Sequence, residues 1–177
     1  DHANVFAAEE DYVKQFDLFG DETPKGGILI YCEQDSLALI IGKKERPDVQ
    51  AISYRSHPHA SYNQGQFYLT NGGERYPVKI FGGHNFQNIS AAKEILKKIG
   101  ITPERFFEAI TSFEGAAGRL EKIKEAGSCI VYKDFAHAPS KVKATVKAVK
   151  DVFPTRDLVA CFELHTYSSL NKKFLPQ

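Results

Sequence analysis

The chain has 177 residues, with 23 basic and 22 acidic side chains, a formal net charge of +1 and 42% hydrophobic residues. These proportions suit one ordinary soluble domain or two small ones and exclude a disordered chain. The near-zero charge removes any overall electrostatic drive toward nucleic acid or an anionic membrane, and no apolar run reaches the roughly 20 residues needed to cross a bilayer.

The chain opens on Asp1-His2-Ala3-Asn4, which has none of the features of a signal peptide, and it contains no methionine. The missing methionine and the direct start on the chemically dense Asp1-His2 pair lead us to expect a piece cut from a longer protein. From Phe6 to Phe19, apolar Val13, Phe16 and Phe19 follow the acids Glu9, Glu10 and Asp11, so a short helix with a dipole-matched first turn is expected. Ile28-Leu29-Ile30-Tyr31-Cys32 is a continuous apolar run and reads as a strand buried on both faces. Ser36 to Lys43 reads as a helix capped by Asp35 or Ser36 and closed at Gly42. Three short strands follow, at Ala51–Tyr54, Gln66–Thr70 and Tyr76–Ile80, the last two joined by the hairpin signal Asn71-Gly72-Gly73. They predict a small antiparallel sheet. His57-Pro58-His59 lies between these strands, but two histidines fall short of the three or four ligands a zinc site needs.

A helix from Asn85 or Asn88 to Lys98 presents Ile89, Ala92, Ile95, Leu96 and Ile99 on one stripe and stops at Gly100. Thr102-Pro103 opens another, with Phe106, Ile110 and Phe113 on its buried side and Gly115 as its end. Gly115 to Gly118 reads as a flexible linker between two bodies. A strand pair near Leu120–Ile123 and Cys129–Tyr132 comes next, then a helix from Pro139 through Val142, Val146, Val149 and Phe153. Leu158-Val159-Ala160-Cys161-Phe162 is expected to be another buried strand, and Leu175-Pro176-Gln177 ends the chain without a closing helix. The three cysteines, Cys32, Cys129 and Cys161, each sit in such runs without CxxC spacing, and are expected to be reduced core residues of a cytoplasmic protein.

Chemistry concentrates where the strand Cys129–Tyr132 meets the helix at Pro139. Asp134 and His137 occupy that turn, and in open α/β sheets anions such as phosphate bind where strand carboxyl ends meet helix N-termini. The plainer alternative is that Asp134 caps the turn and His137 is a satisfied surface imidazole.

Three stretches in order, Gly82-Gly83-His84-Asn85-Phe86-Gln87-Asn88, Gly118-Arg119-Leu120-Glu121 and Asp134-Phe135-Ala136-His137-Ala138-Pro139, resemble those of the Mur ligase family. These ATP-dependent enzymes add amino acids or peptides to UDP-N-acetylmuramate in peptidoglycan synthesis. The resemblance implies an α/β chain: residues 1 to about 115 as the second half of a central ATP-binding domain with a small antiparallel subsheet, and 116 to 177 as the start of a Rossmann-like C-terminal domain. It implies that Asn85 and Asn88, with His84 beside them, meet adenine, and that Arg119 reaches toward the terminal phosphate of ATP. It further implies that Asp134 holds ribose or orients the closing domain, and that His137 lies near the phosphates and acceptor. Asp1-His2 resembles the family pair whose histidine helps bind magnesium, and His165 falls in the acceptor-binding segment.

Two departures matter. No Gly-x-x-x-x-Gly-Lys-Ser/Thr loop is present, so the phosphate cradle is expected upstream of Asp1 and this chain alone is not expected to be an active ligase. The L-alanine-adding branch carries two arginines where this chain has Leu164-His165-Thr166-Tyr167-Ser168-Ser169, and a second histidine where it has Ala138. Phe135-Ala136-His137 and the strand before it resemble more closely the branch that joins the tripeptide L-alanyl-γ-D-glutamyl-meso-diaminopimelate to UDP-N-acetylmuramate in recycling. A Mur-like binding module without catalysis, and a folylpolyglutamate-synthase-like ligase, are the alternatives.

Overall fold

The computed structural model of the chain describes residues 5–6, 8–57, 61–63 and 66–164. Helix α1 (Glu9–Asp21) leads to strand β1 (Ile28–Cys32), helix α2 (Ser36–Lys43) and strand β2 (Gln50–Tyr54). The Asp35 carboxylate accepts the Ala38 N–H at 2.8 Å and starts α2 as its cap. Gly42 lies inside the helix rather than closing it, because its Cα rests against the Tyr31 ring where any Cβ would collide. This contact seats α2 on β1.

Strand β2 runs parallel to β1, pairing Ile28 with Gln50 through Cys32 with Tyr54. That corrects the expectation that Ala51–Tyr54 joins the antiparallel sheet. A helix between two strands lets the chain return in the same direction, whereas a tight turn cannot. The double burial expected of β1 is also corrected: Cys32 is buried but Ile28 is 39% exposed, since the described sheet here has two strands. Arg46, at 7% side-chain exposure, ties α1 to this unit by donating to Asp21 and Asp17, each at 2.9 Å, and to the Ile41 carbonyl at 2.7 Å.

The antiparallel sheet consists of β3 (Ser61–Asn63), β4 (Gln66–Asn71) and β5 (Glu74–Val78). Gly72 and Gly73 form its hairpin with φ of 59° and 92°, conformations that disfavour a Cβ. Behind it pack α3 (Gly83–Lys98) and α4 (Pro103–Ile110), the second capped by Thr102 and ending earlier than Gly115. Leu69, Val78, Phe86, Ile89, Phe106 and Phe107 make this core. His57 belongs to it. The His57 N–H donates to the Phe86 carbonyl at 3.3 Å and its ring meets Phe107 edge-on at 5.6 Å. His59 lies outside the described residues.

The chain then forms an antiparallel pair, β6 (Glu121–Ala126) and β7 (Cys129–Lys133), and helix α5 (Pro139–Val152) with Pro139 in its first turn. Phe81, Leu120, Ala148 and Val152 form a second core, joined by the Tyr132 ring at 5.7 Å from Phe81. This core draws on residues before Gly115 and after Gly118. Leu158–Phe162 is a correction: these residues are irregular, with Val159 86% exposed. An apolar run becomes a strand only where a neighbour takes its backbone hydrogen bonds, and no described strand lies beside it. Cys129 and Cys161 are likewise exposed rather than core, while Cys32 is buried. Among the described residues no helix is long and apolar enough to cross a membrane.

Candidate nucleotide site

The start of α3 depends on Gly82, whose φ is 97°. A Cβ there would stand 3.0 Å from both Ala148 Cβ and the His84 ring, so glycine lets α3 approach α5 closely. The Gly82 carbonyl accepts the Asn85 and Phe86 N–H groups at 3.0 and 3.1 Å, which opens the helix. Helical spacing then puts Asn85, Asn88, Ile89 and Ala92 along one side. They face a cleft of about 840 Å³.

The opposite wall comes from the turn around Arg119, the β7–α5 connection and α5. Arg119, Asp134, Lys141 and Thr145 line it, and Leu96, Phe106, Ile110 and Phe113 give the apolar end. The cleft thus joins an apolar floor to a rim of amides, two cations and one carboxylate, a composition suited to a flat heterocycle bearing an anionic tail.

Each rim group has a physical anchor. Asn85 Nδ2 donates to the Phe81 carbonyl at 2.8 Å, which fixes the side-chain amide at the helix entrance. Burial holds the His84 imidazole below its usual value; the Asp134 charge opposes that shift and the Arg119 charge adds to it. Asp134 accepts the Leu120 N–H at 2.8 Å on one oxygen and the Ala136 N–H at 2.7 Å on the other, with Thr145 Oγ1 at 3.3 Å. Its role as a turn cap is therefore real, alongside its place in the cleft wall. The Arg119 guanidinium lies over the Phe135 ring at 5.6 Å.

His137 does not line the cleft. Its Nδ1 sits 2.9 Å from the Phe135 carbonyl, and its ring meets the Phe135 ring at 5.0 Å. A carbonyl only accepts, so Nδ1 is the donor in this contact. The structure therefore gathers His84, Asn85, Asn88, Arg119 and Asp134 around one cavity and sets His137 beside it through Phe135. His2 and His165 lie outside the described residues. No motif marks Lys141 and Thr145, which line the cleft from the first turns of α5 beyond the Asp134–Pro139 connection.

No family model matches the chain. Among curated proteins it is 29% identical over 180 residues to the UDP-N-acetylmuramate--L-alanine ligase of Lactobacillus delbrueckii subsp. bulgaricus, covering 95% of this chain and 40% of that protein. Among solved structures it superposes on the UDP-N-acetylmuramate-alanine ligase MurC of Thermotoga maritima with a TM-score of 0.65, at 18% identity, over 88% of this chain and 37% of that one. An FPGS variant of L. casei gives a TM-score of 0.65 at 17% identity, over 86% of this chain and 40% of that one. The structural matches show a shared fold, and the sequence match extends through nearly the whole chain. Both kinds of match are to Mur ligases and a related FPGS fold, and the chain spans about 40% of the length of the curated relative named above.

Proposed function

We propose that the chain is the part of an ATP-dependent amide-bond-forming ligase that holds the nucleoside end of ATP, with UDP-N-acetylmuramate as the carboxylate substrate. One observation carries the reading: His84, Asn85, Asn88, Arg119 and Asp134 come from three separate stretches and converge on one cleft. In this reading residues 1 to about 115 are the second half of the central domain and 116 to 177 begin the C-terminal one. Asn85 and Asn88 offer paired donors and acceptors to adenine over the apolar floor. Arg119, permanently charged, neutralises the terminal phosphate as it transfers.

The reaction is a two-step acyl activation. A substrate carboxylate oxygen takes the terminal phosphoryl group and ADP leaves; an amine nitrogen then attacks the acyl carbon, inorganic phosphate leaves, and the amine gives up a proton. The resemblance puts His137, which stands beside the cleft through Phe135, near the acceptor. The relatives' names favour L-alanine as the amine, and a peptide amine is the acceptor to compare with it. Magnesium supplies charge neutralisation in phosphoryl transfer when bound. The resemblance gives it to His2, which lies outside the described residues, among which no cluster of three or more histidine, cysteine or acidic side chains occurs.

The test is titration of the labelled chain with adenosine, ADP and ATP at millimolar concentration, followed by NMR. Shifts centred on His84, Asn85, Asn88 and Arg119 are expected, and Arg119→Ala should weaken ATP while sparing adenosine. Absent shifts on α3, or shifts confined to another face, overturn the assignment.

A further inference from the structure

Around the cleft, one short stretch holds an unusual backbone. Gly118 and Leu120, flanking Arg119, adopt φ of 68° and 47°. A leucine in the left-handed region persists only where its surroundings hold it there. Three contacts do so. The Glu121 carboxylate accepts the Gly118 N–H at 2.7 Å, the Gly118 carbonyl accepts the Phe135 N–H at 2.7 Å, and Asp134 accepts the Leu120 N–H at 2.8 Å. Arg119 stands between the two clipped residues, with Phe135 beneath its guanidinium.

We infer that Glu121 is a positioning residue: its carboxylate closes the turn over residues 118 to 121 and, together with Phe135, fixes the direction in which Arg119 enters the cleft. A guanidinium cannot change its protonation at working pH, so everything it contributes depends on where its planar fork points. Left unclipped, Gly118 would sample many basins, and ordering the arginine would fall to the binding step and lower affinity for an anion. Glu121 is partly buried, its own bond is to backbone rather than to the cavity, and it does not line the cleft. It therefore acts through Arg119. That Arg119 meets phosphate rests on the function proposed above; the clip itself does not.

The experiment compares the wild-type chain with Glu121→Ala, Glu121→Gln and Glu121→Asp by NMR without ligand. In Glu121→Ala the Gly118 amide should exchange about tenfold faster or more, as expected for loss of a hydrogen bond to a charged acceptor. The ring-current shift that Phe135 imposes on the Arg119 side chain should also disappear, while amides of the core around Leu69 and Phe107 keep their protection. Glu121→Gln retains an accepting oxygen and should keep both signals within about twofold. Should Glu121→Ala not fold, Glu121→Asp, one methylene shorter, carries the same comparison with Glu121→Gln. Unchanged exchange at Gly118 together with an unchanged Arg119 shift, in whichever shortened variant folds, overturns the inference. A second arm measures the ratio of ATP to adenosine affinity, expected to fall in Glu121→Ala and to be rescued in Glu121→Gln. A fall that Glu121→Gln fails to rescue also counts against it. If ATP does not bind the wild-type chain, the nucleotide reading fails, and the exchange and ring-current data still decide the clip.

Discussion

Removing the Asp134 carboxylate should loosen the turn at Leu120 and the β7–α5 turn together. In Asp134→Ala, the Leu120 and Ala136 N–H groups lose acceptors at 2.8 and 2.7 Å. Hydrogen bonds to charged groups contribute about 1.5–3 kcal/mol each, and this partly buried site lets water recover a share, so the low end applies and the pair is worth about 3 kcal/mol. For a chain of this size that lowers Tm by about 6–12 °C. Asp134→Asn keeps one oxygen to accept one N–H and turns an NH2 group toward the other, so it should lose about half as much. Thermal unfolding followed by far-UV circular dichroism, with urea midpoints as a check, measures both. Equal Tm values for Ala and Asn, or a loss below about 2 °C for Ala, would refute the bridging role and return Asp134 to the cleft wall alone.

Other consequences follow from single groups. Because burial holds His84 below its ordinary pKa of 6.5, the unfolded chain binds that proton more readily; its contribution to stability is fully present above about pH 6.5 and is lost as pH falls through the lower folded value. Urea unfolding at a series of pH values should therefore show a decline toward acid that His84→Gln flattens, and an unchanged slope in that variant would contradict the assignment. Tyr76 donates to Glu74 at 2.6 Å, and its phenol is pushed up to about 12, so Glu74→Gln should return its ultraviolet titration toward 10. Gly82→Ala adds a Cβ at a left-handed φ and 3.0 Å from Ala148, so it should cost about 1–3 kcal/mol; a neutral result would show that α3 and α5 do not meet as closely as described.

Much of the fold is legible in local chemistry. Asp35 before Ser36, Thr102 before Pro103, Gly72-Gly73 between two strands and Pro139 opening α5 all act where the sequence places them, because caps and turns are satisfied within a few residues. Pairing is different. A five-residue strand such as Gln50–Tyr54 has no local feature that chooses its neighbour, yet α2 lying between it and β1 already indicates a parallel crossover. Leu158–Phe162 shows the same dependence from the other side: its residues favour a strand, and without a described neighbour they remain exposed. Strand alternation is what exposes Cys129: β7 turns Ile130 and Tyr132 toward the interior and leaves Cys129, Val131 and Lys133 outward.

The site divides along the same line. Asn85, Asn88 and Arg119 carry chemistry visible in a string of letters, and the resemblance supplied their order. What no motif contained is that Asp134 spends both oxygens on backbone N–H groups while facing the cavity. A carboxylate in that position holds Leu120 in place and also contributes negative charge beside His84 and Arg119. Any ligand that draws Asp134 toward itself must therefore compete with the linker for the same oxygens. Occupancy of the cleft and the conformation of residues 118 to 121 are linked by that competition, so amide exchange at Leu120 should respond to a ribose hydroxyl as well as to an anion.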